Sequence, residues 1–181
     1  IDAQAVSKRV TGKALDRAAF FRLAYQLTDA VRFLHAKGLV HGNLNADSVM
    51  MTASAQIRIA GLNLHNLLTR PDGISTQFQQ KGSDPRSVAY MPPDQITGQR
   101  VDPRTDVYSL GVVMYEMSTG RLPHLGTNAG DLAKAIVGGN PMSPKAARTC
   151  AAVVGESLPE GLADGAARGR PAARINSSAS G

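Results

Sequence analysis

The stretch His41-Gly-Asn-Leu-Asn-Ala-Asp-Ser-Val-Met-Met51 decides the reading of this chain, because a long helical pattern runs into it and a strand-like run, Ile57-Arg-Ile-Ala60, follows it. On the N-terminal side, Phe20, Leu23, Leu27, Val31 and Leu34 recur at spacings of three and four, which predicts an amphipathic helix with its apolar stripe against a core. Asp16 is its expected N-cap and Gly38 its left-handed stop, after which Leu39-Val40 leads into the loop at His41. On the C-terminal side, Val49-Met-Met51 and Ile57-Arg-Ile59 flank Thr52-Ala-Ser-Ala-Gln56, the pattern of a small hairpin under the loop.

Farther out the signals weaken. Residues 1–15 (Ile1, Ala5, Val6 and Val10 before Thr11-Gly12) predict one brief helix and a turn. Residues 65–89 lose periodicity and contain Pro71-Asp72-Gly73 and Gly82-Ser83-Asp84-Pro85, so a long surface loop is expected there. Tyr90-Met-Pro-Pro-Asp94 ends it. Asp106 to Gly120 is a nearly uninterrupted apolar run closed by glycine, hence a buried helix, and Asp131 to Val137 is a further short helix. Beyond Pro144 the composition shifts to Ala, Arg, Gly and Ser, and little core is expected from it.

With 181 residues and 43% hydrophobic composition, the chain has the size and apolar content of one globular domain. It lacks an apolar run of the roughly 20 residues that cross a bilayer, so no membrane association and a cytoplasmic location are expected. The single cysteine, Cys150, has no metal-spaced neighbours and is read as incidental. A net charge of +6 permits acidic partners, but the basic residues are scattered, with one patch at Arg168, Arg170 and Arg174. Only 4% of residues are aromatic and none is Trp, so nucleic acid is an improbable partner.

The order of these pieces resembles the protein kinase family, nearest to bacterial Ser/Thr kinases. The His41 loop is similar to the catalytic loop His-Arg-Asp-Leu-x-x-x-Asn, Gly61-Leu62-Asn63 stands at the Asp-Phe-Gly triplet, and Met91-Pro-Pro-Asp94, Asp106-Val-Tyr-Ser-Leu-Gly111 and Pro171-x-x-Arg174 follow in family order. The resemblance implies a mainly α (α+β) fold: a kinase-like C-terminal lobe with short β-hairpins and no N-terminal lobe. No Gly-x-Gly-x-x-Gly and no Val-Ala-x-Lys occurs in the sequence. It also implies a layout of entry helix and turn (1–15), lobe core (16–143) and a poorly defined end (144–181).

Phosphoryl transfer in this family needs an Asp to orient the hydroxyl and an Asn and an Asp to hold magnesium. Here Asn43 stands at the loop aspartate, Gly42 at the loop arginine, Ser48 at the loop asparagine and Gly61 at the metal-binding aspartate. Asp47 and Asp72 are the nearest carboxylates in sequence, and neither is expected to substitute. The retained residues are architectural by resemblance: His41 and Leu62 in an apolar column, Asp106 tying the loop to the buried helix, Asp94 with Arg174 as a buried acid–arginine pair, and Met50 under an adenine ring. Plainer readings stand beside these, with His35 and His41 as structural histidines, Met50-Met51 as core, and Ser75, Thr76, Ser83 and Ser87 as ordinary polar loop residues. The sequence-based expectation is a kinase-like domain without phosphotransferase activity that binds another protein and needs no cofactor. The alternatives are a Ser/Thr kinase using ATP and magnesium, whose N-terminal lobe lies elsewhere, and a basic nucleic-acid-binding module.

Overall fold

The computed structural model describes residues 3–10, 12–62 and 85–147. In chain order the elements are β1 (Ala3–Ala5), α1 (Ser7–Val10), α2 (Arg17–Ala36), β2 (Val49–Thr52), β3 (Ile57–Ile59), α3 (Pro85–Val88), α4 (Pro93–Ile96), α5 (Pro103–Thr119) and α6 (Ala129–Val137). The fold is mainly helical, with one antiparallel sheet in the order β1-β2-β3.

Helix α2 forms where its sequence pattern places it. The Asp16 carboxylate accepts from Ala19 N at 2.9 Å, and Leu23, Leu27 and Val31 are buried along one face. At its other end Gly38, at φ +71°, lets Gly38 N reach His35 O at 2.9 Å and Leu39 N reach Leu34 O at 3.0 Å. That paired closure satisfies carbonyls that the end of a helix otherwise leaves orphaned. Leu27 is fully buried, so its truncation to alanine removes about 2–5 kcal/mol.

The chain start differs from the expected helix and turn. Strand β1 comes first, paired with β2 through Ala3↔Thr52, Gln4↔Met51 and Ala5↔Met50, and only then does α1 follow. Ala-Gln-Ala has no intrinsic strand preference; the partner strand makes it one. Strand β3 pairs on the other side of β2, and its outer edge meets α2, where the Gln26 amide donates to Ala55 O at 3.1 Å and accepts from Ile57 N at 3.0 Å.

Helix α5 packs against α2, while α6 packs on α3 and α4. It begins at Pro103 rather than Asp106, because Asp102 accepts from Arg104 N at 2.7 Å and the Thr105 hydroxyl accepts from Asp102 N at 3.3 Å. Proline at the first helical position needs no hydrogen-bond donor there. The helix ends at Gly120, φ +73°, where a Cβ would stand 2.6 Å from Lys13 N. It is less completely buried than its composition suggests: Leu110, Val113 and Met117 enter the core, but Val107 is 59% exposed and Gly111 is open. Helix α6 starts two residues before the expected Asp131, with Asn128 as its cap.

Most of the expected long loop lies outside the described residues; its end, Pro85–Val88, is a helical turn with Val88 buried. Of the end beyond Pro144, only residues 144–147 are described; they are helical, and Ala147 is fully buried. Among the described residues no helix is long and apolar enough to cross a membrane.

Candidate functional site

The His41 loop lies between α2 and the hairpin, directly above Asp106 on α5. Asp106 is fully buried, and its carboxylate accepts from His41 N at 2.8 Å and Gly42 N at 2.8 Å. The His35 ring Nε2, from the last turn of α2, lies 2.8 Å from the same carboxylate. A carboxylate buried this deeply needs such donors, and the donors in turn fix the loop's first two peptides.

His41 is fully buried too. Its Nε2 lies 3.1 Å from Ala60 O and its Nδ1 lies 3.3 Å from Asn43 N. The carbonyl takes a proton and the amide supplies one, so the ring is the neutral tautomer with hydrogen on Nε2. Burial pushes the His41 pKa below the ordinary imidazole value, in keeping with that tautomer.

From Asn43 onward the loop bonds to itself. The Asn45 side-chain oxygen accepts from Asp47 N and Ser48 N, both at 2.9 Å, and its amide donates to Asn43 O at 3.0 Å. The Ser48 hydroxyl donates to Asn45 O at 2.8 Å and accepts from Asn45 N at 3.0 Å. The Asn43 side chain takes no part in this network. Gly42 has φ +72°, and its carbonyl accepts from the Gln95 side chain at 3.4 Å.

Past the loop, Ala60 N bonds to Ser48 O at 2.8 Å, and the chain turns at Gly61 with φ +78°. His41 and half-buried Leu62 both line a groove of about 490 Å³ between α2 and β3, beside exposed Tyr25 and Phe33. Met50, half-buried, pairs with Ala5 and Arg58 on the opposite face of β2 from the core residues Val49 and Met51. The sequence reading of Met50 as core is therefore corrected by strand alternation, which admits Met51 and not its neighbour.

Of the expected acid–arginine pair of Asp94 and Arg174, only Asp94 falls within the described residues, where it is exposed in the first turn of α4. A buried carboxylate does meet an arginine here, but it is Glu116, 3% exposed on α5. The Arg86 guanidinium donates through Nη2 to Glu116 at 3.0 Å and through Nε to Asp47 at 3.2 Å. The Tyr90 hydroxyl donates a short hydrogen bond to the other Glu116 oxygen, and burial beside that carboxylate raises the Tyr90 pKa above its ordinary value. Ser109 Oγ donates to Tyr90 O at 2.8 Å. These contacts tie α3 both to the loop and to the buried helix.

Sequence reasoning missed Asn45, the partnership of His35 with Asp106, and the Arg86–Glu116–Tyr90 cluster. The Asn45-x-x-Ser48 spacing was a usable signal for the first, since Asn side chains bond to backbone two and three residues on. Nothing local marks Arg86 and Glu116, which are 30 residues apart.

A helix running into a self-bonded loop pinned from below by a buried aspartate, then a hairpin and a second buried helix, defines a protein-kinase-like domain. Residues 6–163 match the family of protein tyrosine and serine/threonine kinases, and the chain belongs to the protein kinase family. It is 34% identical over 101 residues to a probable serine/threonine-protein kinase of Clostridium acetobutylicum, covering 56% of this chain and 15% of that protein. It is 30% identical over 115 residues to the serine/threonine-protein kinase PknB of Mycobacterium leprae, covering 64% of this chain and 18% of that one. The chain thus spans less than a fifth of the length of these two curated relatives. The crystal structure of Rad53 residues 1–466 in complex with AMP-PNP shares the fold, with a TM-score of 0.62 at 19% identity, over 84% of this chain and 36% of that one.

Proposed function

We propose that this chain is the C-terminal lobe of a pseudokinase, a kinase-like domain that does not transfer phosphate and acts by binding another protein. The observation that carries the reading is Gly61: the turn after β3, where the family places a metal-binding carboxylate, has no side chain at all. The rest of the site supports it. The Ser48 hydroxyl is engaged with the Asn45 backbone, Asp47 bonds to Arg86, and Asp106 lies beneath the loop with three donors around it. This donor set does not fit a magnesium ion, which takes oxygen ligands from carboxylates and phosphates. Asn43 can accept and donate hydrogen bonds but has no basicity with which to take a proton from a hydroxyl.

The test is isothermal titration of the full chain with ATP, with and without magnesium, alongside a phosphotransfer assay on Ser/Thr peptides. No magnesium-dependent binding and no transfer are expected. Magnesium-dependent binding, by this chain or by a longer form of the protein containing it, overturns the proposal in favour of an active Ser/Thr kinase.

A further inference from the structure

Six large apolar side chains stand exposed among the described residues, and three of them lie on one face of α2: Phe21 at 59%, Tyr25 at 76% and Phe33 at 60%. Single exposed apolar residues are ordinary, but these three, spaced by four and eight residues, form a stripe about 18 Å long. The stripe borders the groove of about 490 Å³ between α2 and β3, whose walls include Tyr25, Phe33, Ile57 and Leu62. Cations frame it. The Arg17 guanidinium lies 5.8 Å from the centre of the Phe21 ring, and Lys37 Nζ lies 5.7 Å from that of Phe33. Arg22 is exposed on the same helix, and the one carboxylate within α2, Asp29, is held by Arg32 at 2.7 Å.

An aromatic stripe ringed by cations that outnumber acids selects an occupant that is apolar on one side and acidic around it. A second copy of the chain does not meet that description. Antiparallel pairing about residue 27 sets Phe21 against Phe33 of the other copy, but the same register sets Arg17 against Lys37 and Arg22 against Arg32, cation on cation. A flat anionic lipid surface answers the charges and leaves the groove unfilled. Taking the chain as a protein-binding domain, as proposed above, we infer that the Phe21–Phe33 face of α2 receives an acidic amphipathic helix of a partner protein. An apolar side chain of that helix enters the groove between Tyr25 and Phe33, and its carboxylates meet Arg17, Arg22 and Lys37.

The probe is a fluorescein-labelled peptide of about 18 residues, with Leu at helical spacing and Glu at the other positions, titrated with the full 181-residue chain and read by fluorescence anisotropy. Saturable binding is expected, at least about tenfold tighter than for the same peptide with Lys in place of Glu, and weakening as salt is raised. Tyr25→Ala and Phe33→Ala should each weaken it about tenfold and leave the melting midpoint nearly unchanged, since both rings are exposed. Arg22→Glu should weaken it about fivefold, whereas Arg100→Glu, the same charge change at an exposed arginine outside α2, should leave it unaltered. No readout involves nucleotide, so failure here is separate from failure of the inactive-kinase reading, which the ATP titration decides. Absence of saturable binding, equal losses from the two arginine variants, or binding untouched by Tyr25→Ala and Phe33→Ala overturns the proposal. So does binding to vesicles of phosphatidylcholine and phosphatidylserine in equal parts that the peptide fails to displace, which assigns the face to a lipid surface. A concentration-dependent dimer that Tyr25→Ala dissolves overturns it as well, in favour of a second copy of the chain.

Discussion

Replacing Asp106 with alanine removes the acceptor for two buried amides, His41 N and Gly42 N, and the partner of His35 Nε2. Each buried amide left without an acceptor costs about 1–3 kcal/mol, so losing both costs about 2–6 kcal/mol. A chain of this size loses about 2–4 °C of melting midpoint per kcal/mol, so the fall is at least about 4 °C and centres near about 12 °C. Asp106→Asn should fall between wild type and Asp106→Ala, because its oxygen still serves one side while its NH2 group faces a donor on the other. Asn43→Ala is the control, since that side chain lies outside the loop's network; its cost is within about 0.5 kcal/mol. Thermal unfolding by near-UV circular dichroism, with guanidinium titrations for the free energies, separates the three variants. Equal shifts for Asp106→Ala and Asn43→Ala, or a loss below about 1 kcal/mol for the former, refute the argument that Asp106 holds the loop from below.

Gly120→Ala combines left-handed strain with a Cβ placed against the Lys13 backbone, so it should cost well over the ~1 kcal/mol of strain expected for Gly38→Ala, whose Cβ meets nothing; equal losses in denaturant melts contradict that packing. Tyr90→Phe strands a buried Glu116 oxygen and should cost about 1–3 kcal/mol, measured in the same way. Burial lowers the pKa of both His41 and His124, so the unfolded chain binds more protons than the folded one as pH falls below the ordinary imidazole value near 6.5. Stability is therefore complete above that pH and declines below it. His124→Phe should flatten part of the decline, and an unchanged pH profile counts against a neutral buried His124.

The helices were legible because their signals are local. Asp16, the Leu23–Leu27–Val31 stripe and Gly38 specify α2 within one segment, and the hairpin at Val49 and Ile57 follows from two short apolar runs. Where the sequence misled, the cause was a partner distant in the chain in one case and a local polar cap in the other. Ala3–Ala5 is a strand only because β2 lies alongside, and α5 starts early because of a cap whose residues are polar. Within the site, loop placement could be read from the His41 stretch, but the arginine that meets the buried acid could not. Arg86 and Glu116 meet through tertiary packing alone.

The contact of Gln26 with the hairpin has a meaning beyond holding it to α2. Strand β3 lies at the margin of the sheet, and a margin with free amides and carbonyls invites strands from other molecules. One side-chain amide, donating to Ala55 O and accepting from Ile57 N, reproduces the two hydrogen bonds that a neighbouring peptide group would offer. Gln26 thus serves as a fourth strand one residue long, and a Leu there, equal in bulk but without polar atoms, would leave the helix intact while opening the sheet to edge-to-edge association.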